Sequence, residues 1–157
     1  MSITFQGPAV LVKDIDASRR FYEQALGQQV LADHGPHLVL GGFFLWQADH
    51  AAPIMLGRGA QAPAPLGQGN FELYFETEDL DQAWQQAEEH GATALHPMVE
   101  QPWGQRGFRL ADPDGHVVEV AEPLTALVAR LLDSGLSPEQ VSERTSIPVD
   151  MVREMAP

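Results

Sequence analysis

The sequence predicts an α+β fold made of two βαβββ modules and a C-terminal helical tail, and three observations lead to this prediction. The first is an internal repeat, in which AVLVKDIDASRRFYEQALGQQV (residues 9–30) and LYFETEDLDQAWQQAEEHGATAL (residues 73–95) show the same order of features. The second is the hydrophobic spacing within each repeat, which changes from the two-residue period of a strand to the period of a helix. The third is that further strand-like runs follow each helix.

Each repeat predicts a strand, a helix and a helix end at matching positions. Apolar residues alternate in residues 9–12 and 71–75, which indicates half-buried strands. An Asp–apolar–Asp step follows each strand, and side chains around it are expected to cap the helix by accepting hydrogen bonds from its free amides. The candidate caps are Asp16 or Ser18 in the first copy and Asp79 or Asp81 in the second. Gly27 and Gly91 suit the left-handed backbone that ends a helix.

Three strand-like runs complete each module after its helix. They are residues 29–31, 37–40 and 43–47 in the first module and residues 93–95, 107–110 and 117–121 in the second. Asp112-Pro113-Asp114-Gly115 lies between the last two runs and predicts a tight turn, because proline presets the second turn position and glycine suits the fourth. His116 follows this turn and is expected to be exposed.

The predicted boundaries divide the chain into two modules, a linker and a tail. The modules are residues 1–50 and 70–123, the linker is residues 51–69, and the tail is residues 124–157. The linker is rich in Pro, Gly and Ala, which indicates a connection between modules. In the tail, an amphipathic helix is expected to end near Gly135. A second helix is expected to start at Ser137-Pro138-Glu139-Gln140, where a capping serine precedes proline, and a short helix over residues 149–155 follows.

Composition and charge exclude several functional classes. The chain of 157 residues has no cysteine, so disulfides and thiolate nucleophiles are excluded, and any metal must use His, Asp, Glu or Gln. Nine Lys and Arg against 22 Asp and Glu give a net charge of −13, which opposes binding to nucleic acids and anionic membranes. No apolar run is long enough to span a membrane and no signal peptide is recognisable, so a cytoplasmic protein with a small-molecule partner is expected.

The paired βαβββ repeat, together with DPDGHVVEV at residues 112–120, resembles the vicinal oxygen chelate superfamily, which includes glyoxalase I, extradiol dioxygenases and bleomycin-resistance proteins. The resemblance covers residues 3–123 and leaves out the tail. It implies curled mixed sheets around a cup, and a homodimer, since relatives commonly complete their cups across two chains. In metal-binding members the ion takes ligands from the first and last strands of each module and acts as a Lewis acid.

The family's ligand positions are only partly filled in this chain. The resemblance places the first-strand ligand of the second module at Glu72 and its last-strand ligand at Glu119. In the first module the corresponding position is Gly7, with Gln6 beside it, and the last strand at residues 43–47 has no acid. Two carboxylates without histidine suit magnesium or manganese better than zinc, nickel or iron. The expected cofactor is therefore none, or a divalent metal held by Glu119 and Glu72.

Without a metal, the same two carboxylates are the candidates for catalysis. Alternation along the strand puts Glu72 and Tyr74 on the cup side, where Glu119 is expected to converge with Glu72, so that one carboxylate holds a proton and acts as a general acid or base. The alternative is that Glu72 is solvated and Glu119 caps backbone amides. Further ligand-binding candidates are Trp46, Gln47, Tyr74, His96, Trp103 and Arg106. For Arg106, pairing with one of the many acids is the alternative to clamping a substrate anion.

Three hypotheses for the function follow. The first, which is favoured, is a cup that binds a small organic molecule with a weak metal site or none. The second is a lyase or dioxygenase of the glyoxalase type that uses Glu119, Glu72 and a divalent ion. The third is a dimeric regulatory or scaffold protein that acts through its tail, although three Arg against five acids in residues 124–157 argue against DNA binding. The substrate, the reaction and the role of the tail stay open.

Overall fold

The computed structural model describes residues 2–157 and shows the predicted α+β architecture, with two four-stranded mixed sheets and helices. The strands are β1 Ala9–Val12, β2 Ala32–Asp33, β3 His37–Val39, β4 Phe44–Gln47, β5 Glu72–Glu76, β6 Thr93–Glu100, β7 Arg106–Ala111 and β8 Val117–Ala121. The helices are α1 Ile15–Arg20, α2 Ala48–Met55, α3 Leu80–Glu89, α4 Leu124–Asp133, α5 Pro138–Thr145 and α6 Val149–Met155. Helix α1 continues as a π-helical turn over Phe21–Ala25.

Both sheets have the same strand order, as expected for a repeated unit. The first is ordered β1-β4-β3-β2 and the second β5-β8-β7-β6, so in each module the first strand is hydrogen-bonded to the last. In the first sheet β1 runs parallel to β4, with Val10 beside Leu45. Strand β3 is antiparallel to both β2 and β4. The chain therefore forms the two βαβββ modules that the sequence predicts.

The first helix is capped two residues earlier than predicted. Asp14, and not Asp16 or Ser18, caps α1, because its backbone is extended and its carboxylate accepts hydrogen bonds from two amides of the first turn, both at 3.0 Å. Ser18 is instead buried inside the helix. In the second module Asp79 takes the same role, since its carboxylate accepts a 2.9 Å hydrogen bond from the amide of Gln82.

The second strand of the first module begins later than predicted. It is Ala32–Asp33 and not residues 29–31. After the π-helical turn the amide of Gln28 donates to the carbonyl oxygen of Tyr22 at 2.8 Å, so the chain is still completing the helix end where a strand was expected. A π-helical turn adds a residue to the helix, and the apolar spacing of the sequence does not reveal it.

The stretch predicted as a linker begins inside a helix. Helix α2, Ala48–Met55, follows β4 directly and contains Pro53. Proline inside a helix is normally destabilising, but Ala51 and Ala52 are buried, and this packing outweighs the low helix propensity. In the second module β6 similarly continues through Pro97 to Glu100, beyond the predicted residues 93–95. Proline is tolerated there because β6 lies at the edge of its sheet.

The predicted turn joins β7 and β8. The amide of Gly115 donates to the carbonyl oxygen of Asp112 at 3.0 Å, and Gly115 has a φ of 86°, which glycine adopts readily. The carboxylate of Asp112 accepts hydrogen bonds from the amide of His116 at 2.8 Å and from the hydroxyl of Tyr22 at 3.0 Å. His116 is only 4% exposed, and its Nε2 lies 2.9 Å from the carbonyl oxygen of Leu11. The expectation that His116 is exposed is therefore wrong.

The chain divides into two compact units, each with its own buried side chains. The first contains the residues up to Glu72 together with Gln86–Thr93 and Ala111–Val117, and the second contains Leu73–Gln85, Ala94–Leu110 and Val118–Pro157. The first is packed around side chains that include Val10, Val12, Tyr22, Leu38 and Leu45. The second has Phe108, Leu110, Val118 and Val120 among its buried residues. None of the helices within residues 2–157 combines the length and apolar character that spanning a membrane requires.

The tail forms three helices around a core of its own. The buried members of this core are Leu127, Val128, Leu131, Val141, Ile147 and Val152. Ser137 caps α5 through the predicted capping box, in which its side chain and that of Gln140 each bond to the other residue's backbone amide. Gly135 follows α4 with a φ of 95°, consistent with the predicted end of that helix. The tail helices are therefore confirmed.

Candidate functional site

The hairpin of β7 and β8 places Arg109 opposite Glu119. Next to the turn, the amide of Asp112 donates to the carbonyl oxygen of His116 at 3.0 Å, which sets the register of the two strands. Arg109 and Glu119 each lie three residues further from the turn than Asp112 and His116, so they are directly opposite each other. Opposite residues of an antiparallel pair project from the same face of the sheet, so these two side chains are neighbours.

Glu119 is a buried carboxylate with a cationic partner. Only 5% of the residue is exposed, and its Oε2 accepts a hydrogen bond from Nη2 of Arg109 at 2.7 Å. A hydrogen bond between two charged groups at this distance is among the stronger polar interactions in proteins. The carboxylate at the family's ligand position is thus paired with an arginine, a residue that sequence reasoning missed.

The sequence did contain a signal for Arg109. The DPDG turn predicts where the hairpin reverses, and a hairpin's register follows from its turn. That register pairs residue 109 with residue 119. Alternation along one strand does not reveal the neighbour on the next strand, so this pattern alone does not identify the partner of Glu119.

His96, one of the predicted binding residues, extends this pair. It lies on β6, and its Nε2 is 3.4 Å from Nη1 of Arg109. Its Nδ1 is 2.8 Å from the carbonyl oxygen of Pro97. A carbonyl oxygen only accepts hydrogen bonds, so Nδ1 carries the proton and the lone pair of Nε2 faces the guanidinium. The structure therefore brings His96 and Glu119 to the two terminal nitrogens of Arg109.

Two predicted aromatic residues, Tyr74 and Trp103, are joined by the buried side chain of Gln105. Nε2 of Gln105 donates to the hydroxyl oxygen of Tyr74 at 2.8 Å, and its Oε1 accepts from Nε1 of Trp103 at 3.1 Å. The Tyr74 hydroxyl donates in turn to Glu76 at 2.9 Å. Tyr74 is 47% exposed and Trp103 is 38% exposed. Their polar atoms are therefore held by the protein, while both side chains remain partly open to solvent.

Both tyrosines are expected to resist ionisation. Burial, assisted by the hydrogen bond to Glu76, raises the pKa of Tyr74 to about 12, and burial next to Asp112 raises the pKa of Tyr22. The chain has two tyrosines in all. An ultraviolet titration of the folded protein should therefore show little tyrosinate at about pH 10, where a free tyrosine is half ionised. Tyrosinate absorbance at that pH of about a quarter of the maximum for two tyrosines, lost in Tyr74→Phe, would contradict the hydrogen-bonded state of Tyr74.

Glu72 lies at the start of β5 and is exposed. Together with Gly69, Asn70, Phe71 and Val117 it lines a shallow pocket of about 280 Å³. The predicted convergence of Glu72 with Glu119, and the role of either carboxylate as a general acid or base, stay predictions.

Trp46 and Gln47 lie at the end of β4 in the first unit. Nε1 of Trp46 donates to Nδ1 of His50 at 3.0 Å, and the ring of His37 packs edge-on against the indole with centroids 5.2 Å apart. Burial and the neighbouring imidazoles lower the pKa of His37, which favours its neutral form. Trp46 is thus held in a cluster of histidines. A ligand-binding role for Trp46 or Gln47 stays a prediction.

Arg106 pairs with an acid, which is the alternative that the sequence left open for it. Its Nη2 lies 3.2 Å from Oε2 of Glu122, and its backbone amide donates to Oε1 of Glu122 at 2.8 Å. Nearly half of the arginine side chain is still exposed. A role for Arg106 in binding a substrate anion stays a prediction.

Two of the family's metal positions, Gly7 and Glu119, do not fit a metal ion. Gly7 has a φ of 131°, and a Cβ at this residue would lie 2.2 Å from the carbonyl oxygen of Gly42, so a side chain has no room there. At Glu119, the guanidinium of Arg109 is already bound, and its positive charge opposes a second cation. Nowhere within residues 2–157 do three His, Asp or Glu side chains gather as metal ligands do. We therefore derive no chemical step through a metal.

Comparison with known proteins agrees with the architecture. The model of the glyoxalase-like domain matches residues 5–125. The chain belongs to this family, within the vicinal oxygen chelate superfamily. An uncharacterized protein of Mycobacterium bovis is 29% identical over 125 residues, which cover 74% of this chain and 82% of that protein.

Solved structures show the same fold. A protein of unknown function from Agrobacterium tumefaciens is 34% identical with a TM-score of 0.73, and the match covers 78% of this chain and 96% of that one. A glyoxalase-related enzyme from Fulvimarina pelagi is 21% identical with a TM-score of 0.63, covering 76% and 88% of the two chains. A glyoxalase/bleomycin resistance protein/dioxygenase from Nocardioides is 22% identical with a TM-score of 0.61, covering 78% and 85%.

Proposed function

We propose that this glyoxalase-like protein binds a small planar organic molecule on the face of the second sheet that carries Arg109 and Glu119, and that it does so without a metal. The observation that carries the proposal is the buried ion pair between these residues at the family's carboxylate position. Burying two charges costs desolvation energy, and replacing such a pair with apolar residues is often stabilising. An ion pair at this position is therefore better explained by a role in recognising a ligand than by a role in packing.

Arg109 is the group that would recognise a polar atom of the ligand. A guanidinium presents several N–H donors in one plane and binds carbonyl, carboxylate and phenolate oxygens well. Glu119 holds this group in place through the 2.7 Å hydrogen bond, and about a quarter of the arginine side chain stays exposed. In this proposal a ligand oxygen binds Arg109 at the exposed part of its side chain, and Glu119 offsets the charge of the guanidinium.

Tyr74 and Trp103 would supply the stacking surface for a planar ligand. Both are partly exposed, and both are tied to Gln105 through their polar atoms. An aromatic side chain that is held by its polar end loses little further freedom when a ligand stacks on its ring. The combination of aromatic surface and one fixed donor is typical of small-molecule sites.

Calorimetric titration of protein prepared with a chelator tests this proposal. Bleomycin serves as a probe with a planar aromatic segment, and catechol as a planar probe with two neighbouring oxygens. We expect at least one of them to bind, and Arg109→Lys to weaken binding by about 10-fold, because lysine keeps the charge but loses the planar set of donors. Arg58→Lys, in an exposed loop, is the matched control and should bind as the unaltered protein does.

A second pair of variants locates the site. Trp103→Ala should weaken binding of the same probe, whereas Trp46→Ala, in the first unit, should not. Failure of both probes to bind, or equal losses in the two tryptophan variants, would overturn the proposal. Binding that appears only with an added divalent ion, and disappears in Glu119→Gln, would favour the metal-dependent lyase or dioxygenase instead.

A further inference from the structure

The tail contacts the loop that carries Trp103 and Gln105. The family model ends at residue 125, so most of the tail lies outside the part that the family explains. We propose that Arg130 of α4 is a positioning residue that fixes the loop of residues 101–105 and thereby presents Trp103 and Gln105 to the ligand. This inference rests on the proposed function for its consequence, but its structural part can be tested separately.

Arg130 joins three segments through one guanidinium. Its Nη2 donates to the carbonyl oxygen of Gly104 at 2.6 Å and to Oε1 of Glu122 at 2.5 Å. Its Nε lies 3.3 Å from Oε2 of Glu122, and its Nη1 lies 3.5 Å from Glu100. The side chain therefore links the end of β6, the loop, and the residue that follows β8. The planar fork of an arginine suits several acceptors at once, whereas a lysine acts as a point charge.

Glu122 is the acid on which this arrangement depends. It is 3% exposed and accepts hydrogen bonds from Arg130 and from the backbone amide of Arg106. Burial opposes its ionisation, but these hydrogen bonds dominate and hold its pKa below the usual range. Its carboxylate is therefore charged near neutral pH and attracts Arg130.

The same residue connects Arg130 to the ligand-facing side chains. The backbone carbonyl oxygen of Glu122 accepts from Nε2 of Gln105 at 2.8 Å. The side-chain amide of Gln105 in turn forms hydrogen bonds with Tyr74 and Trp103. An unbroken series of contacts thus runs from the tail to the two aromatic residues of the proposed site.

The loop itself is short and is covered by a second arginine of the tail. The amide of Gly104 donates to the carbonyl oxygen of Gln101, and that of Gln101 to the carbonyl oxygen of Gln105, both at 2.8 Å. Gly104 has a φ of 96°, and a Cβ there would lie 3.0 Å from Nε of Arg144. Arg144 also pairs with Glu100 at 2.5 Å. Two arginines of the tail, Arg130 and Arg144, therefore lie against the backbone of this loop.

The tail is rigid enough to act in this way because it has its own core. Leu127, Val128 and Leu131 of α4 pack with residues of α5 and α6, so the backbone on either side of Arg130 is anchored. A side chain projecting from an anchored helix loses less freedom when it binds than one on a free terminus. A loop that loses such support is expected to sample other conformations.

Fluorine NMR of the full chain labelled with 5-fluorotryptophan tests this inference without any ligand. The chain has three tryptophans, and Trp103→Phe identifies the resonance of Trp103. We expect Arg130→Met to shift or broaden the Trp103 resonance while leaving those of Trp46 and Trp84 unchanged. Arg130→Lys should recover the original resonance only partly. Arg153→Met, which removes exposed ion pairs on α6, is the matched control and should change none of the three.

An unchanged Trp103 resonance in Arg130→Met would overturn the inference, and so would equal changes in all three resonances, which indicate general destabilisation. If Arg130→Met does not fold, Arg130→Lys decides in its place, because an unchanged Trp103 resonance there would likewise contradict a role for the planar fork. Arg130→Met should also weaken binding of the planar probe by about 10-fold. If the unaltered protein binds no probe, the proposed function fails, and the Trp103 resonance still decides whether Arg130 positions the loop.

Discussion

Removing the carboxylate of Glu119 is expected to destabilise the protein by about 2–4 kcal/mol, because Glu119→Leu leaves the guanidinium of Arg109 partly buried without its acid. For a chain of this size the loss corresponds to a drop in melting temperature of roughly 5–15 °C. Arg109→Leu should be at least as damaging, since Glu119, the more deeply buried partner, then loses its ion pair with Arg109. Thermal and urea unfolding of both single variants measure these losses.

The double variant with Leu at both positions separates the ion pair from simple packing. When both charges are gone, neither is left without a partner, so the double variant should be clearly more stable than the sum of the single losses predicts. Glu122→Leu cannot serve as a control in this experiment, because Glu122 forms ion pairs with two other arginines, Arg106 and Arg130. Strictly additive losses would show that the two side chains do not interact in solution, and the proposed recognition site would lose its basis.

Replacing Gly7 with alanine is expected to destabilise the protein by about 2–5 kcal/mol. Two effects combine: the backbone at residue 7 has a φ of 131°, and a Cβ there would lie 2.2 Å from the carbonyl oxygen of Gly42. Gly41→Ala is the matched control, because a Cβ at Gly41 has no neighbouring atom within 4 Å in the part of the chain that the structure describes. The control should change the free energy of unfolding by less than about 1 kcal/mol.

The outcome at Gly7 bears on metal binding as well as on stability. If Gly7→Ala folds as well as Gly41→Ala, the backbone there can move, and a ligand-bearing side chain could be introduced at the family's first-strand position. If it is strongly destabilised, the first module is built in a way that excludes a metal ligand at residue 7. Together with the pairing of Glu119 to Arg109, that result would remove two of the family's ligand positions from metal binding in this chain.

Most of the fold was predictable because its signals are local. The bounds of β1, β8 and α6 match the predicted runs, and DPDG forms the expected turn. The errors lie where local signals conflict with packing. The Pro, Gly and Ala content of residues 51–69 predicted a linker, but burial of Ala51 and Ala52 keeps α2 helical. His116 follows a turn, and its position predicted an exposed side chain. The residue is instead buried, and its ring contacts the carbonyl oxygen of Leu11, more than a hundred residues earlier.

The candidate site was predictable only in part. Glu119, His96, Tyr74 and Trp103 were identified from strand alternation, loop position and the family resemblance. Arg109 and Gln105, which connect them, were not, because a cross-strand neighbour and a buried amide leave no mark in the periodicity of a single segment. The role of the tail was equally hidden, since helical periodicity predicts that α4 is amphipathic but does not reveal what Arg130 contacts.

The sequence by itself determined the repeat, the two βαβββ modules, the hairpin turn, the tail helices and the incomplete set of metal ligands. Each of these features depends on residue type and on spacing over a few neighbouring positions. Only the tertiary structure decided that Glu119 is paired with Arg109, that Gln105 joins Tyr74 to Trp103, and that Arg130 reaches the loop of residues 101–105. Those contacts join side chains of different strands, loops and helices. Their energies come from burial and charge pairing, which exist only once the sheets and helices have packed.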